Sequence, residues 1–148
     1  MSSWLDVALL AVLIVLNGVF AMSEISLVTS RRARLQRLID DKVAGAERAR
    51  ELNADPNRAL STIQVGITSI GILSGIVGES ALARPMEAFL VMVGLSPETA
   101  KAIGLFVVVV LITYFSIVMG ELVPKRIGQI SPERIACRLA PPIHCLSI

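Results

Sequence analysis

Three stretches of the chain carry no charged residue: Val7 to Ser23, Ala59 to Gly78 and Ala102 to Gly120. A helix needs about 20 mostly apolar residues to cross a bilayer, and all three stretches qualify, the first by continuing past Glu24 to Val28. A helix that packs into a soluble core keeps a polar face for water, whereas these runs stay apolar all round. The pattern therefore predicts an all-α membrane protein with transmembrane helices over about 5–28, 57–79 and 98–122. Between the first two spans, Leu35, Leu38, Ile39, Val43, Ala46, Ala49 and Leu52 recur at helical spacing amid Arg, Asp and Glu. That spacing predicts an amphipathic juxtamembrane helix over about 31–53, lying along the membrane face. Asn53 to Asn57 breaks it, and Asp55-Pro56 reads as the cap and first residue of the second span. Ser96-Pro97-Glu98 opens the third span in the same way. Ser131-Pro132-Glu133 opens a second juxtamembrane helix, over about 132–140, which Pro141 and Pro142 are expected to stop or kink.

Charge adds an orientation. Eight basic residues (Arg31, Arg32, Arg34, Arg37, Lys42, Arg48, Arg50 and Arg58) lie between the first and second spans, against Arg84 and the boundary residue Lys101 between the second and third. Lys125, Arg126, Arg134 and Arg138 follow the third span. The positive-inside rule then predicts a multi-pass protein of the plasma (inner) membrane, with the N-terminus outside and the C-terminus cytoplasmic. A cleaved signal peptide needs basic residues ahead of the apolar run, but the first basic residue is Arg31, so the first span reads as an uncleaved anchor. The 148 residues are read as one transmembrane domain. Only ten residues follow Arg138, with no turn or polar tail, as expected of a longer protein cut at this point.

The chemistry is concentrated in the polar residues of the spans. Asn17 and Glu24 are two helical turns apart on one face of the first span, and Ser23 lies beside Glu24. The second span carries Thr62, Gly66 and Ser69 at helical spacing, beside a track of Gln64, Thr68, Gly71, Gly75 and Gly78 that reads as a packing seam, a source of ligands, or both. Near the end of the third, Pro124 has no N–H and crowds the carbonyl of Gly120, next to Glu121. Two readings stand side by side. The freed carbonyl and the carboxylate form an oxygen-rich pocket, or Glu121 pairs with Lys125 one turn on as a helix-end salt bridge. A carboxylate at membrane depth is costly without a partner, which makes both glutamates functional candidates.

The intramembrane inventory of Asn, Gln, Ser, Thr, Tyr, Glu and backbone carbonyls has no thiolate or imidazole. It favours a hard cation such as Mg2+, Ca2+ or Na+ over zinc, copper or iron, and two glutamates match one divalent charge. Cys137, Cys145 and His144 lack the four-ligand pattern of a structural zinc site and read as packing or interfacial residues. No His-Glu-x-x-His or Gly-x-Ser-x-Gly occurs, so no enzymatic activity is expected. No nucleic-acid partner is expected; the partner the composition implies is the lipid bilayer.

Three segments carry a resemblance: Asn17-Gly18-Val19-Phe20-Ala21-Met22-Ser23-Glu24; Ser61-Thr62-Ile63-Gln64-Val65-Gly66-Ile67-Thr68 with Gly71 and Gly75; and Gly120-Glu121-Leu122-Val123-Pro124-Lys125. In this order, on three successive spans, they resemble the transmembrane domain of the CorC and CNNM (cyclin M) magnesium transporters. The resemblance implies three transmembrane helices with cytoplasmic juxtamembrane helices, a homodimer, and export of Mg2+ with Na+ entry as the driving force. It also implies a downstream pair of CBS domains that binds ATP, a module this chain lacks. Carried over residue by residue, it implies an ion site of Ser23, Ser69, Gly120 and Glu121, with Glu24 and Asn17 as further ligands or as part of a coupled path. The alternative is a membrane-embedded Mg2+ sensor that regulates another transporter without carrying flux itself.

Overall fold

The computed structural model describes residues 3–148, and among them helices are the only regular elements. Three helical stretches are long and apolar enough to cross a membrane: Trp4–Thr29, Pro56–Met92 and Pro97–Ile130. The first is a single helix, α1 (Ser3–Thr29). The second runs through α4 (Pro56–Gly78), a π-helical turn π1 (Glu79–Ala83) and α5 (Arg84–Met92). The third runs through α6 (Pro97–Ile117), a second π-helical turn π2 (Val118–Leu122) and α7 (Val123–Ile130). Pro56 and Pro97 occupy first-turn positions where a missing N–H costs nothing, and Ser96 caps α6 by accepting from the Thr99 N–H. Asp55 and Ser131 precede their helices without a side-chain cap.

The second and third helices therefore outrun the expected spans. Pro85 falls in the first turn of α5, so the helix absorbs it just after π1 in place of ending there. Pro124 does the same after π2. Two juxtamembrane expectations need correction. In place of one helix over 31–53 there are two, α2 (Arg32–Asp40) and α3 (Ala46–Ala54), because Lys42 and Gly45 both adopt positive φ and turn the chain back. The periodicity survives the turn because Leu35 on α2 and Ala46, Ala49 and Leu52 on α3 all face one core.

The second correction concerns α8, which runs Pro132–Ser147 straight through Pro141 and Pro142. Proline removes the N–H that the carbonyls of Cys137 and Arg138 would receive, at a cost of about 3 kcal/mol or more in an isolated helix. Tertiary packing offsets it. Ala136, Cys137, Ala140 and Ile143 bury against Leu35, Ala46, Ala49, Leu52, Ala59 and Ile63, the main packed core of the molecule. Burial pushes the Cys137 thiol above its usual pKa, with the Glu133 carboxylate adding to the effect, so this cysteine sits in the core as a neutral thiol.

That core lies at the ends of the spans, between α2, α3, α8 and the adjoining turns of α1 and α4. Polar links close it. The buried Glu133 carboxylate accepts from the Arg31 N–H at 3.1 Å, and Asn53 Nδ2 donates to the Leu27 carbonyl at 3.0 Å near the end of α1. The spans themselves leave most of their apolar surface open: Val12, Val15, Ile72, Ile76, Phe106 and Val110 are among the exposed side chains. Gly71 and Gly75 meet nothing within 4 Å of where a Cβ would stand, so the small-residue track does not pack against the rest of this chain at those two positions.

Gly45 gives a direct test of the α3–α8 contact. It has φ +81°, and a Cβ there would run into the Cys137 carbonyl, the acceptor that Pro141 leaves without a helical donor. Gly45→Ala should destabilise the protein by about 2 kcal/mol or more, from left-handed strain and overpacking together. Thermal unfolding in detergent, followed by circular dichroism, should show a lowered Tm.

Candidate cation site

Pro124 sets the local geometry. Having no N–H, it cannot close the helical bond to the Gly120 carbonyl, and the chain widens into π2 directly before it. The Gly120 carbonyl is taken up from outside the helix: Asn17 Nδ2 on α1 donates to it at 3.1 Å. This needs a close crossing of α1 over π2 and α7, which the glycines allow. A Cβ at Gly120 would stand 3.1 Å from Asn17 Nδ2, and one at Gly128 would stand 3.0 Å from the Met22 carbonyl.

The Gly120 carbonyl also fixes the sense of the Asn17 amide, since a flipped amide would set two oxygens against each other. Asn17 Oδ1 then points elsewhere, buried and without a hydrogen-bond partner among the described residues. A buried acceptor left bare costs about 1–3 kcal/mol. It is a ready oxygen ligand for a cation or a water molecule.

Further along the same crossing, the two glutamates meet. Lys125 Nζ lies 3.1 Å from Glu121 Oε1 and 3.3 Å from Glu24 Oε2, and Gln64 Nε2 on α4 donates to Glu24 Oε1 at 2.8 Å. All three spans thus contribute to one polar cluster. Glu121 pairs with Lys125 one turn on, and the same ammonium also bridges to Glu24 on a different span. Two carboxylates against one ammonium leave the cluster one negative charge in excess.

The predicted serines stand apart from this cluster. Ser23 is fully buried, but its hydroxyl donates to the Val19 carbonyl of its own helix at 2.7 Å. Its lone pairs stay available, yet it makes no hydrogen bond to Glu24, Glu121 or Lys125. Ser69 is exposed on α4 and makes no side-chain hydrogen bond among the described residues. The residue absent from the predicted site is Gln64, which sits in the small-residue track of the second span; its amide was the signal, as the one long polar side chain on that track. Nowhere among the described residues do three His, Cys, Asp or Glu side chains converge, so a cation bound here would draw on amide, hydroxyl and carbonyl oxygens beside the two glutamates.

A helical membrane protein with three long apolar stretches and a charged cluster that joins all three is the class these features define. Residues 8–148 match the model of the cyclin M transmembrane N-terminal domain, and the chain belongs to that family. Relatives include a UPF0053 protein of Synechocystis sp., 43% identical over 97% of this chain, and the polyamine export protein of Escherichia coli K12, 33% identical over 92%. A UPF0053 protein of Bacillus subtilis is 34% identical over 92% of the chain. The chain spans about a third of the length of these relatives, 32%, 30% and 30% respectively.

The bridging ammonium generates a prediction. Lys125→Met leaves Glu24 and Glu121 facing each other without a counter-ion. In metal-free buffer the variant should lose stability, by roughly 1 kcal/mol given the partial exposure of the three groups. A divalent cation should restore it at lower concentration than the wild type needs for any response. Thermal unfolding against cation concentration measures both effects.

Proposed function

We propose that this chain is the ion-handling membrane part of a cation exporter, with Mg2+ as cargo and Na+ entry as the coupled flux. The observation that carries the reading is the Glu24–Lys125–Glu121 bridge. Carboxylates from the first and third spans converge on one positive charge, with the orphaned Asn17 Oδ1 and the π2 carbonyls along the same helix crossing. Mg2+ gives up water reluctantly, and two carboxylates freed from Lys125 would balance its charge and offset part of its dehydration. Transport then follows alternating access: a cation entering the cluster displaces the ammonium, and the helices rearrange to release the cation on the other side. In this reading Glu121 and Glu24 receive the ion from the cluster, and Ser23, Ser69, the Gly120 carbonyl and Asn17 join as ligands once the helices regroup around it.

The remaining assignments belong to the same proposal. The N-terminus lies outside and the C-terminus in the cytoplasm, as the basic residues of α2, α3 and α8 favour. Two copies associate in the plasma membrane through the open apolar faces of the spans, and the unpacked Gly71 and Gly75 supply a surface for close helix approach. The chain has no enzymatic activity, and any ATP-binding CBS pair belongs to a part of the protein beyond this sequence.

A second reading is favoured by a specific feature: the group that the two glutamates already hold is a primary alkylammonium. One relative is named a polyamine export protein, and a polyamine would present the same chemistry to the same carboxylates. A third, a Mg2+ sensor without flux, uses the same cluster but moves nothing. Proteoliposomes loaded with Mg2+ or with spermidine separate the three. Wild-type protein should release Mg2+ faster when Na+ is supplied outside, and Glu121→Gln should cut that flux at least about tenfold, the equivalent of one lost charge-assisted contact, while still folding. Release of spermidine alone selects the polyamine reading. Binding of Mg2+ with no flux selects the sensor, and Mg2+ flux unaffected by Glu121→Gln rules out the site.

A further inference from the structure

The first and third spans end side by side. α1 stops at Thr29 and α2 begins at Arg32, while α7 stops at Ile130 and α8 begins at Pro132. Between these two corners lies a cavity of about 350 Å³ lined by Arg34, Arg37 and Arg134, with Asp41 and Glu133 opposing them. Three guanidiniums against two carboxylates leave it net positive. Glu133 is already engaged: it is 6% exposed, accepts from the Arg31 N–H, and has Arg34 at 3.9 Å. Arg37 and Arg134, both exposed residues on the cavity wall, make no ion pair and no side-chain hydrogen bond among the described residues, so neither guanidinium is committed within the chain.

The depth of the cavity in the bilayer follows from its neighbours. Ile130, the last residue of the third apolar stretch, lines it while 77% exposed, and Leu38 lines it from α2. An apolar side chain open to the surroundings at the end of a span belongs against acyl chains, and guanidiniums lining the same cavity belong at the level of lipid phosphates. The planar guanidinium matches a phosphate with two parallel hydrogen bonds, which a cavity with two uncommitted arginines is suited to give.

We propose that this cavity is a binding site for the phosphate of an anionic phospholipid, with Arg37 and Arg134 as its ligands and Ile130 and Leu38 against the first methylenes of the lipid. Glu133 holds the wall in place by tying the start of α8 to the α1–α2 corner. Asp41 opposes the phosphate and limits the affinity.

Thermal unfolding of the detergent-solubilised protein tests this with phosphatidylglycerol, phosphatidylcholine and water-soluble glycerol phosphate as probes. Phosphatidylglycerol should raise Tm well above the other two. Arg37→Gln/Arg134→Gln should lose most of that rise, whereas Arg84→Gln/Lys101→Gln, which removes the same charge from exposed positions elsewhere, should keep it. Asp41→Asn should enlarge it, and this variant carries the test if the double arginine variant does not fold. The proposal is overturned if phosphatidylcholine stabilises equally or if the control pair loses the effect as well. It also fails if glycerol phosphate matches the lipid, which would make the ligand a soluble phosphate, or if Asp41→Asn leaves the rise unchanged or smaller.

Discussion

A polar group at membrane depth has no water to turn to, and much of this molecule follows from where each such group finds its partner. Pro124 withholds an N–H from the Gly120 carbonyl. The carbonyl is served by Asn17, and the service draws α1 across the third helix closely enough that glycines are required at the crossing. The same crossing brings Glu24 within reach of Lys125, which already holds Glu121. One missing donor therefore organises the helix irregularity, the packing of two spans and the meeting of two carboxylates. The chain of satisfaction stops at Asn17 Oδ1, the one buried side-chain atom among the described residues left without a partner. The ion-paired cluster two turns further along α1 carries one negative charge in excess.

Packing is distributed unevenly around this cluster. The dense core joins α2, α3, α8 and the adjoining turns of α1 and α4, where Leu35, Ile63 and Cys137 are almost fully enclosed. The spans contribute far less buried surface; within the most apolar window of the third, only 11% of residues are buried. Regions with few buried contacts open and rearrange at low free-energy cost, while a packed layer moves as a unit. The layer thus acts as a base that fixes one end of α1 and α4. The ion pairs lie beyond it in the loosely packed bundle, where exchanging one positive charge for another does not require the core to be broken.

Much of this was legible from residue types and spacing. Uncharged runs of bilayer length located the three spans, because no soluble environment tolerates such stretches in that number. Pro124 located the irregularity at Gly120, since a missing N–H acts within its own helix whatever the surroundings. Helical spacing of Leu35, Ala46, Ala49 and Leu52 identified a buried face, yet not that the chain turns at Lys42 to Gly45, since the same spacing serves one straight helix or two folded ones. Pro141 and Pro142 read as a stop because local propensity disfavours them by several kcal/mol, and burial of α8 outweighs that. Seven-residue spacing put Asn17 and Glu24 on one face of α1, and the helix-end pairing of Glu121 with Lys125 follows from four-residue spacing.

What the sequence alone determined depends on neighbours along one helix: the location of the three spans, the irregularity ahead of Pro124 and the four-residue spacing that brings Lys125 within reach of Glu121. Tertiary structure alone decided the contacts between helices: that Asn17 reaches Gly120, that Gln64 and Lys125 share Glu24, and that Ser69 stays outside the cluster. The physical reason is that rise and turn fix which side chains share a face within a helix, whereas rotation and crossing of separate helices are set by packing, which no single segment encodes.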